Sequence, residues 1–361
     1  MQVKSKKGYL SLIFDIIKDP ERKSFLKIIS EVTFLTFYHR KSPRFYFSRY
    51  LFKKERQNIK DYFPDRFLEG IKPYFNDKDS RIILEDKLFF GLYFNQFRIS
   101  IPKILMHNYG ESFFLNREEI KVTSPGDFIS LLKIITDKYL NGGSVFVKKT
   151  SWSYGGDKIF KISPDQLNGD LNGISQVYSE VINSGYIFQE TIKQNADMDS
   201  LNPSCLNTIR MDTFIDRQGK AEIISAYLRT SVENLVVDNI SQGGCMLPID
   251  IETGQLRKKG FGTPKRFGVT LPEKHPVTQK VFEGFKIPFF DEVKELAVQA
   301  ATFTPCLRLV GWDIGIGVEG PVLIEGNSNY DSTGNDLTSG GFGTCPVFRK
   351  VLDEYRILRK S

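Results

Sequence analysis

Between Met1 and Asn76, apolar residues recur at three- and four-residue steps, as in Leu26, Ile29, Val32, Phe34 and Phe37. That period predicts helices. Pro20, Pro43, Pro64 and Pro73 divide the stretch into several of them, because proline interrupts the helical hydrogen-bond ladder. No strand–glycine-loop–helix pattern occurs there, so no Rossmann-type domain is expected at the front. From Asp79 the texture changes. A helix is predicted around Ile83–Phe94, then a short strand in IPKIL and a helix near Asp127–Leu140. The strand SVFVKK, the loop TSWSYGG, the strand DKIFKI, another helix and the strand YIFQE follow. From Asn207 strands dominate, in NTIRMDTFI, AEIISAYLR, LVGWDIGIG and PVLIEGN, with helices near Asp291–Thr302 and after Pro346. Helices with mixed, largely antiparallel strands in two successive units indicate an α+β fold rather than a doubly wound sheet.

Charge alters the picture of the front region. Met1 to Asn76 holds 17 Lys and Arg against 8 Asp and Glu, a surplus of nine, so the chain's net +7 leaves the remainder at −2. A nucleic-acid enzyme would carry that field at its active site, so none is expected as a partner. The basic, Phe-rich helices suggest peripheral association with an anionic membrane, with a helical platform packed on the catalytic lobes as the alternative. Asp15 interrupts the apolar run at the start and no small-residue cleavage site follows, so a cytoplasmic protein is expected. Four scattered cysteines without a CxxC pair, and three histidines, exclude a zinc cluster and a disulfide framework.

The most specific local signal is GWDIGIGVEGPVLIEGNSN. A three-residue loop, Val318-Glu319-Gly320, would place Asp313 opposite Glu325, with Asn327 farther along the same face. A two-residue loop would turn Asp313 away. Two carboxylates and an amide oxygen among Val310, Trp312, Ile314, Leu323 and Ile324 suit Mg²⁺, and Mn²⁺ by the same donor chemistry. A solvated sheet face is the competing reading.

Upstream, the backbone amides of Ser153, Gly155 and Gly156 can fold over phosphates, and a strand lysine supplies a fixed charge. Lys148 and Lys149 point to opposite faces, so one of them faces the nucleotide. Gln189, Glu190 and Ile192 end an apolar strand whose unpaired edge could bind adenine, with Glu190 on the ribose. Lys87 lies on the helix before.

Taken in order, these parts resemble the ATP-grasp superfamily: a helix lysine, a lysine before a Gly-rich hairpin, a hinge strand ending in Glu, then Asp and E-x-N on late strands. NTIR, the YLR…VDNISQGG…PIDIETG run and HP before GFKIP are similar to the sugar-transfer-associated ATP-grasp family of bacterial surface-polysaccharide clusters. The resemblance spans residues 80–345. It implies two α+β lobes clamping ATP: a helical N-terminal region over 1–78, a small lid lobe with the first nucleotide-binding elements over 79–195, and a core lobe with the metal site and C-terminal helix over 196–361. It also implies Lys87 and Lys148 on phosphates, Glu190 on the ribose, and Asp313, Glu325 and Asn327 on metal. The sequence departs from the pattern in having Lys149 after Lys148 rather than the frequent proline.

Between hinge and metal strands, Arg210 and Arg229 are candidates to clamp a γ-phosphate beside a carboxylate, against the plainer reading of salt-bridged sheet arginines. Asn239, Gln242 and Gly243 lie in a polar Gly-rich loop suited to an acceptor, or simply to a turn. His275 either orients the acceptor or caps a turn. No Ser-His-Asp set or reactive cysteine stands out, which leaves positioning and charge neutralisation as the chemistry. The family reading is an ADP-forming carboxylate–amine ligase that makes an amide, joining an amino acid to a sugar acid of a surface polysaccharide. Its partners are ATP, a small-molecule or sugar carboxylate and an amine donor. The alternatives are a kinase acting on a hydroxyl and a non-catalytic nucleotide-bound scaffold.

Overall fold

In the computed structural model, which describes residues 9–40, 43–151, 158–232, 244–262 and 268–360, the stretch expected as one helix from Ile83 breaks at Asp86. Asp86 ends the short helix Ile82–Glu85 and caps the next, Lys87–Asn95, by accepting from the amides of Leu88 and Phe89. A carboxylate at that position satisfies amides that the helix itself leaves unbonded, so a polar residue inside an apolar period starts a second helix.

The chain divides into two compact units. The first comprises 1–80, 194–321 and 327–361, and the second 81–193 and 322–326.

The second unit holds a six-stranded antiparallel sheet from β1 (Ile104–Tyr109), β2 (Ser112–Leu115), β3 (Glu118–Lys121), β4 (Val145–Lys149), β5 (Ile159–Ile162) and β6 (Gly185–Glu190). Their order is β3-β2-β1-β6-β4-β5. Met106, Phe113, Val145, Val147 and Phe188 on one face meet Phe128 and Leu132 of the helix Pro125–Leu140. The hairpin β2–β3 was not foreseen. Its outer strand EEIK is largely exposed, so it lacks the apolar alternation that marks a half-buried strand. IPKIL likewise yields only the beginning of β1.

The first unit is built on β7 (Thr208–Ile215), β8 (Ala221–Ser231), β9 (Gly244–Pro248) and β10 (Leu309–Gly317); β11 (Gly320–Asn327), whose residues 322–326 count with the second unit, ends the strand order β11-β10-β7-β8-β9. The residues joining β10 to β11 are Val318 and Glu319, with Gly320 at φ 131 opening the second strand. This is a two-residue connection, so the three-residue loop behind the Asp313–Glu325 register does not form. Both orders place a glycine at the same position, and sequence alone could not count the loop.

The N-terminal helices belong to this unit, and part of their basic surplus is turned inward. Arg49 pairs with Asp336 at 3.1 Å and Asp65 at 2.5 Å, Lys53 with Asp19 at 2.7 Å, and Lys23 with Glu31 at 2.9 Å. Tyr46, Tyr50 and Phe52 pack with Tyr227 and Met246 of the sheet, while Leu68, Ile71 and Phe75 pack with Phe214 and Phe348. Among the described residues no helix is long and apolar enough to cross a membrane.

Candidate functional site

In the second unit, alternation along β4 decides which lysine leaves the core. Val145 and Val147 are buried in it, so Phe146 and Lys148 take the other face, with the Lys148 ammonium 5.7 Å from the Phe146 ring centre. Burial pushes the Lys148 ammonium down to about 8, the Glu325 carboxylate works against that shift, and Lys87 adds to it. Lys87, Lys148 and Glu325 therefore share one electrostatic neighbourhood. The amide of Lys87 donates to the carbonyl of Thr150 at 2.7 Å, which ties the start of its helix to the end of β4.

At the end of β6, the Glu190 side chain accepts from the Lys103 amide at 2.9 Å, and the Glu190 amide donates to the Lys103 carbonyl at 3.1 Å. Gln189 is buried, 3.5 Å from the Pro102 carbonyl. β6 runs between β1 and β4, so it offers no unpaired edge. That part of the adenine expectation is corrected, which leaves the chain beyond the strand, at Thr191 and Ile192. Ser153, Gly155 and Gly156 lie outside the described residues, as do Asn239, Gln242 and Gly243.

In the first unit, Arg210 stands opposite both Asp313 and Tyr227, and Thr208 opposite Arg229. Cross-strand partners share a face, so these side chains converge. Arg210 meets Asp313 bidentately, Nε to Oδ1 at 2.5 Å and Nη2 to Oδ2 at 3.0 Å. Arg229 adds Nη2 to Oδ2 at 2.9 Å and also donates to the Thr208 hydroxyl at 3.0 Å and 2.8 Å. Burial opposes the Arg210 charge, but Asp313 more than offsets it and raises the guanidinium well above its usual value. Two guanidiniums thus meet at the Asp313 carboxylate on this face.

Sequence reasoning missed the ring around that pair. Asp212 is fully buried two residues after Arg210; burial pushes it up to about 7, against Arg210 and Lys72. Lys72 is also buried. Burial pushes it down to about 8 against Asp212, and its ammonium donates to the Tyr330 carbonyl and lies 4.1 Å from the Tyr330 ring centre. Tyr330 hydrogen-bonds Asp212 and covers Gly311, where a Cβ would come within 2.9 Å of the ring. Period-two polarity in Thr208, Arg210 and Asp212 was a usable signal for Asp212. None existed for Lys72 or Tyr330, which arrive from distant segments.

His275 is buried, with Nε2 2.7 Å from the Ser231 carbonyl and Nδ1 accepting from the amides of Val277 and Thr278 at 3.3 Å and 3.2 Å. Both ring nitrogens serve the local chain, which is the turn-capping arrangement. Burial lowers its proton affinity, against the pull of the Ser231 carbonyl. The folded chain thus holds it neutral, and its stability contribution is present above the ordinary value of 6.5 and lost as pH falls toward the folded value. Between pH 7 and 5, thermal melts should lose stability more steeply in the parent than in His275→Asn, by at most about 1.4 kcal/mol per pH unit for one proton. Parallel slopes would refute this assignment.

A hard cation suits the oxygen donors of Asp313, Glu325 and Asn327. Both Asp313 oxygens, however, accept from arginines. Among the described residues no three His, Cys, Asp or Glu side chains are grouped as a metal site. Glu325 and Asn327 carry the remaining oxygen donors of the right chemistry.

The α+β architecture is that of the ATP-grasp class. The model of the sugar-transfer associated ATP-grasp family matches residues 67–348, and the chain belongs to that family. No functionally curated protein matches it. Distant likeness in fold extends to N5-carboxyaminoimidazole ribonucleotide synthetase from Thermotoga maritima, at 8% identity and TM-score 0.36 over 68% of this chain and 42% of that one. The chain thus spans less than half of that relative. D-alanyl-alanine synthetase A from Vibrio cholerae O1 biovar eltor is similar at 13% identity and TM-score 0.44, over 77% and 66% of the two chains. D-alanine–D-alanine ligase from Bacillus anthracis, complexed with ATP, gives 10% identity and TM-score 0.40 over 82% and 76%.

Proposed function

We infer that this chain is an ATP-dependent, ADP-forming carboxylate–amine ligase. A carboxylate oxygen attacks the γ-phosphorus as the bond to the β-phosphate oxygen breaks, releasing ADP. The nitrogen of an amine then attacks the acyl carbon, its proton is lost and phosphate departs, leaving an amide. The observation that carries this reading is the Arg210–Asp313–Arg229 arrangement. Two guanidinium forks are brought to one face of the sheet, and planar forks suit a carboxylate beside a phosphoryl group. Arg229 is the less buried of the two, so it is the fork that reaches the reacting anion. Lys148 and Lys87 hold nucleotide phosphates, Gln189, Glu190 and Ile192 take the adenosine end, Ser153, Gly155 and Gly156 are assigned to the phosphates, and Asn239, Gln242 and Gly243 to the acceptor. Mg²⁺, held by Glu325 and Asn327, would supply charge neutralisation, whereas Asp313 stays with its arginines on the other face. Family membership supports an amide between an amino acid and a sugar acid of a surface polysaccharide. The basic N-terminal region supports peripheral placement at an anionic membrane surface.

Hydroxylamine tests the reaction. With the carboxylate present it should trap the acyl phosphate as a hydroxamate, alongside ADP. Arg229→Ala should lower both by roughly a hundredfold or more, as loss of a donor to developing charge does. A stable phosphorylated product without free phosphate would establish a kinase, and AMP with pyrophosphate would overturn both.

A further inference from the structure

Helix α2 (Phe25–His39) is apolar on both sides. Ile28 and Leu35 enter the core of the first unit, while Leu26, Ile29 and Phe37 on the outer stripe are 82%, 62% and 78% exposed. Phe14, in α1 (Tyr9–Lys18), is 60% exposed. A helix that is apolar all round is ordinarily covered on all sides. The only acid on α2, Glu31, is buried against Lys23 and Tyr46, so the exposed charges it leaves are Lys27 on the helix and Arg40 at its end.

The C-terminal end of this helix leads into a cleft of about 570 Å³ in the same unit. Its lining includes His39, Arg40, Arg66, Phe67, Tyr355 and Arg359, and no carboxylate. Among the described residues none of the three arginines takes part in a side-chain hydrogen bond or ion pair, and the buried Nε2 of His39 has no partner. Rings connect this cleft to the exposed stripe: Phe34 stacks on Tyr38 at 5.6 Å, and Tyr38 meets His39 edge-on at 4.9 Å. An arginine-lined pocket beside an apolar, acid-free face has the chemistry of a phosphate ester joined to a hydrocarbon body.

We propose that this cleft is a headgroup site for an anionic phospholipid, with the outer faces of α1 and α2 in the acyl boundary beside it. Arginine forks recognise phosphate oxygens bidentately, and amphipathic faces hold a protein at the interface when basic groups meet anionic lipid. The assignment rests on the peripheral-membrane part of the functional reading and goes further, because general charge attraction needs no cleft.

Flotation of the full chain with phosphatidylcholine vesicles, with and without phosphatidylglycerol, at physiological salt tests it. Binding is expected only with phosphatidylglycerol. The double variant Arg66→Gln/Arg359→Gln should weaken it about tenfold or more, as expected for two basic groups at a charged surface. Leu26→Ser/Phe37→Ser should weaken it too, and thermal melts confirm that each variant folds. Loss in the apolar variant alone would overturn the cleft while leaving peripheral placement standing. No flotation overturns both, and so does a dimer in light scattering that the apolar variant dissolves, since a second copy would then cover the face. A thermal shift with inorganic phosphate, cancelled by the arginine variant and unaccompanied by flotation, would make the cleft a free-phosphate site and overturn the lipid assignment. ADP release is assayed separately in solution, so none of these outcomes bears on the ligase reading.

Discussion

Asp313→Ala is expected to destabilise the protein by about 3–5 kcal/mol, the usual cost of removing one partner from a buried ion pair. Asp313 and Arg210 are both buried on facing strands, and the carboxylate accepts two charge-assisted hydrogen bonds from Arg210 and forms an ion pair with Arg229. Without it, Arg210 keeps a charge in the sheet beside Asp212, which burial already drives toward its neutral form. Arg210→Met in the Asp313→Ala background should restore part of the loss, because the uncompensated charge goes with it. Urea unfolding of the single and double variants measures this. Additive losses would mean that the two side chains do not act as a pair. Any residual activity of Asp313→Ala should be judged against the folded fraction, since this carboxylate also holds the sheet together.

Lys148→Ala should weaken Mg–ATP binding by about tenfold to a hundredfold, the range of one charge-assisted hydrogen bond of roughly 1.5–3 kcal/mol. Lys149→Ala should change it by no more than about twofold, as substitutions away from a site do. Their separation comes from the strand: Val145 and Val147 fill the core, so Lys148 lies opposite and Lys149 follows the valines. Burial of Lys148 beside Lys87, offset in part by Glu325, makes its charge costly in the free protein and favours a phosphate that would neutralise it. Titration with Mg–ATP decides the matter. Equal losses at both lysines, or a loss at Lys149 alone, would show the face to be wrongly assigned.

Sequence by itself determined the elements whose physics is local. Alternation in VFVKK already placed the two lysines on opposite faces, and a helix near Asp127–Leu140 was legible, which the structure extends to Pro125 with Ser124 as its cap. The polar alternation of Thr208, Arg210 and Asp212 was likewise present in the chain. Family membership was legible too, because its motifs are short and ordered along the sequence. Tertiary structure alone decided the rest. The length of the β10–β11 connection turned on whether Gly320 closes the loop or opens the strand, a difference that one glycine with positive φ permits either way. Lys72 and Tyr330 joined Asp212 only through folding, since buried charges find partners by proximity in space, and no spacing in the sequence encodes that. The Phe-rich helices show the same division. Their period predicted helices, but which phenylalanines enter the core and which remain on the outer face of α2 depended on where the sheet of the first unit lies.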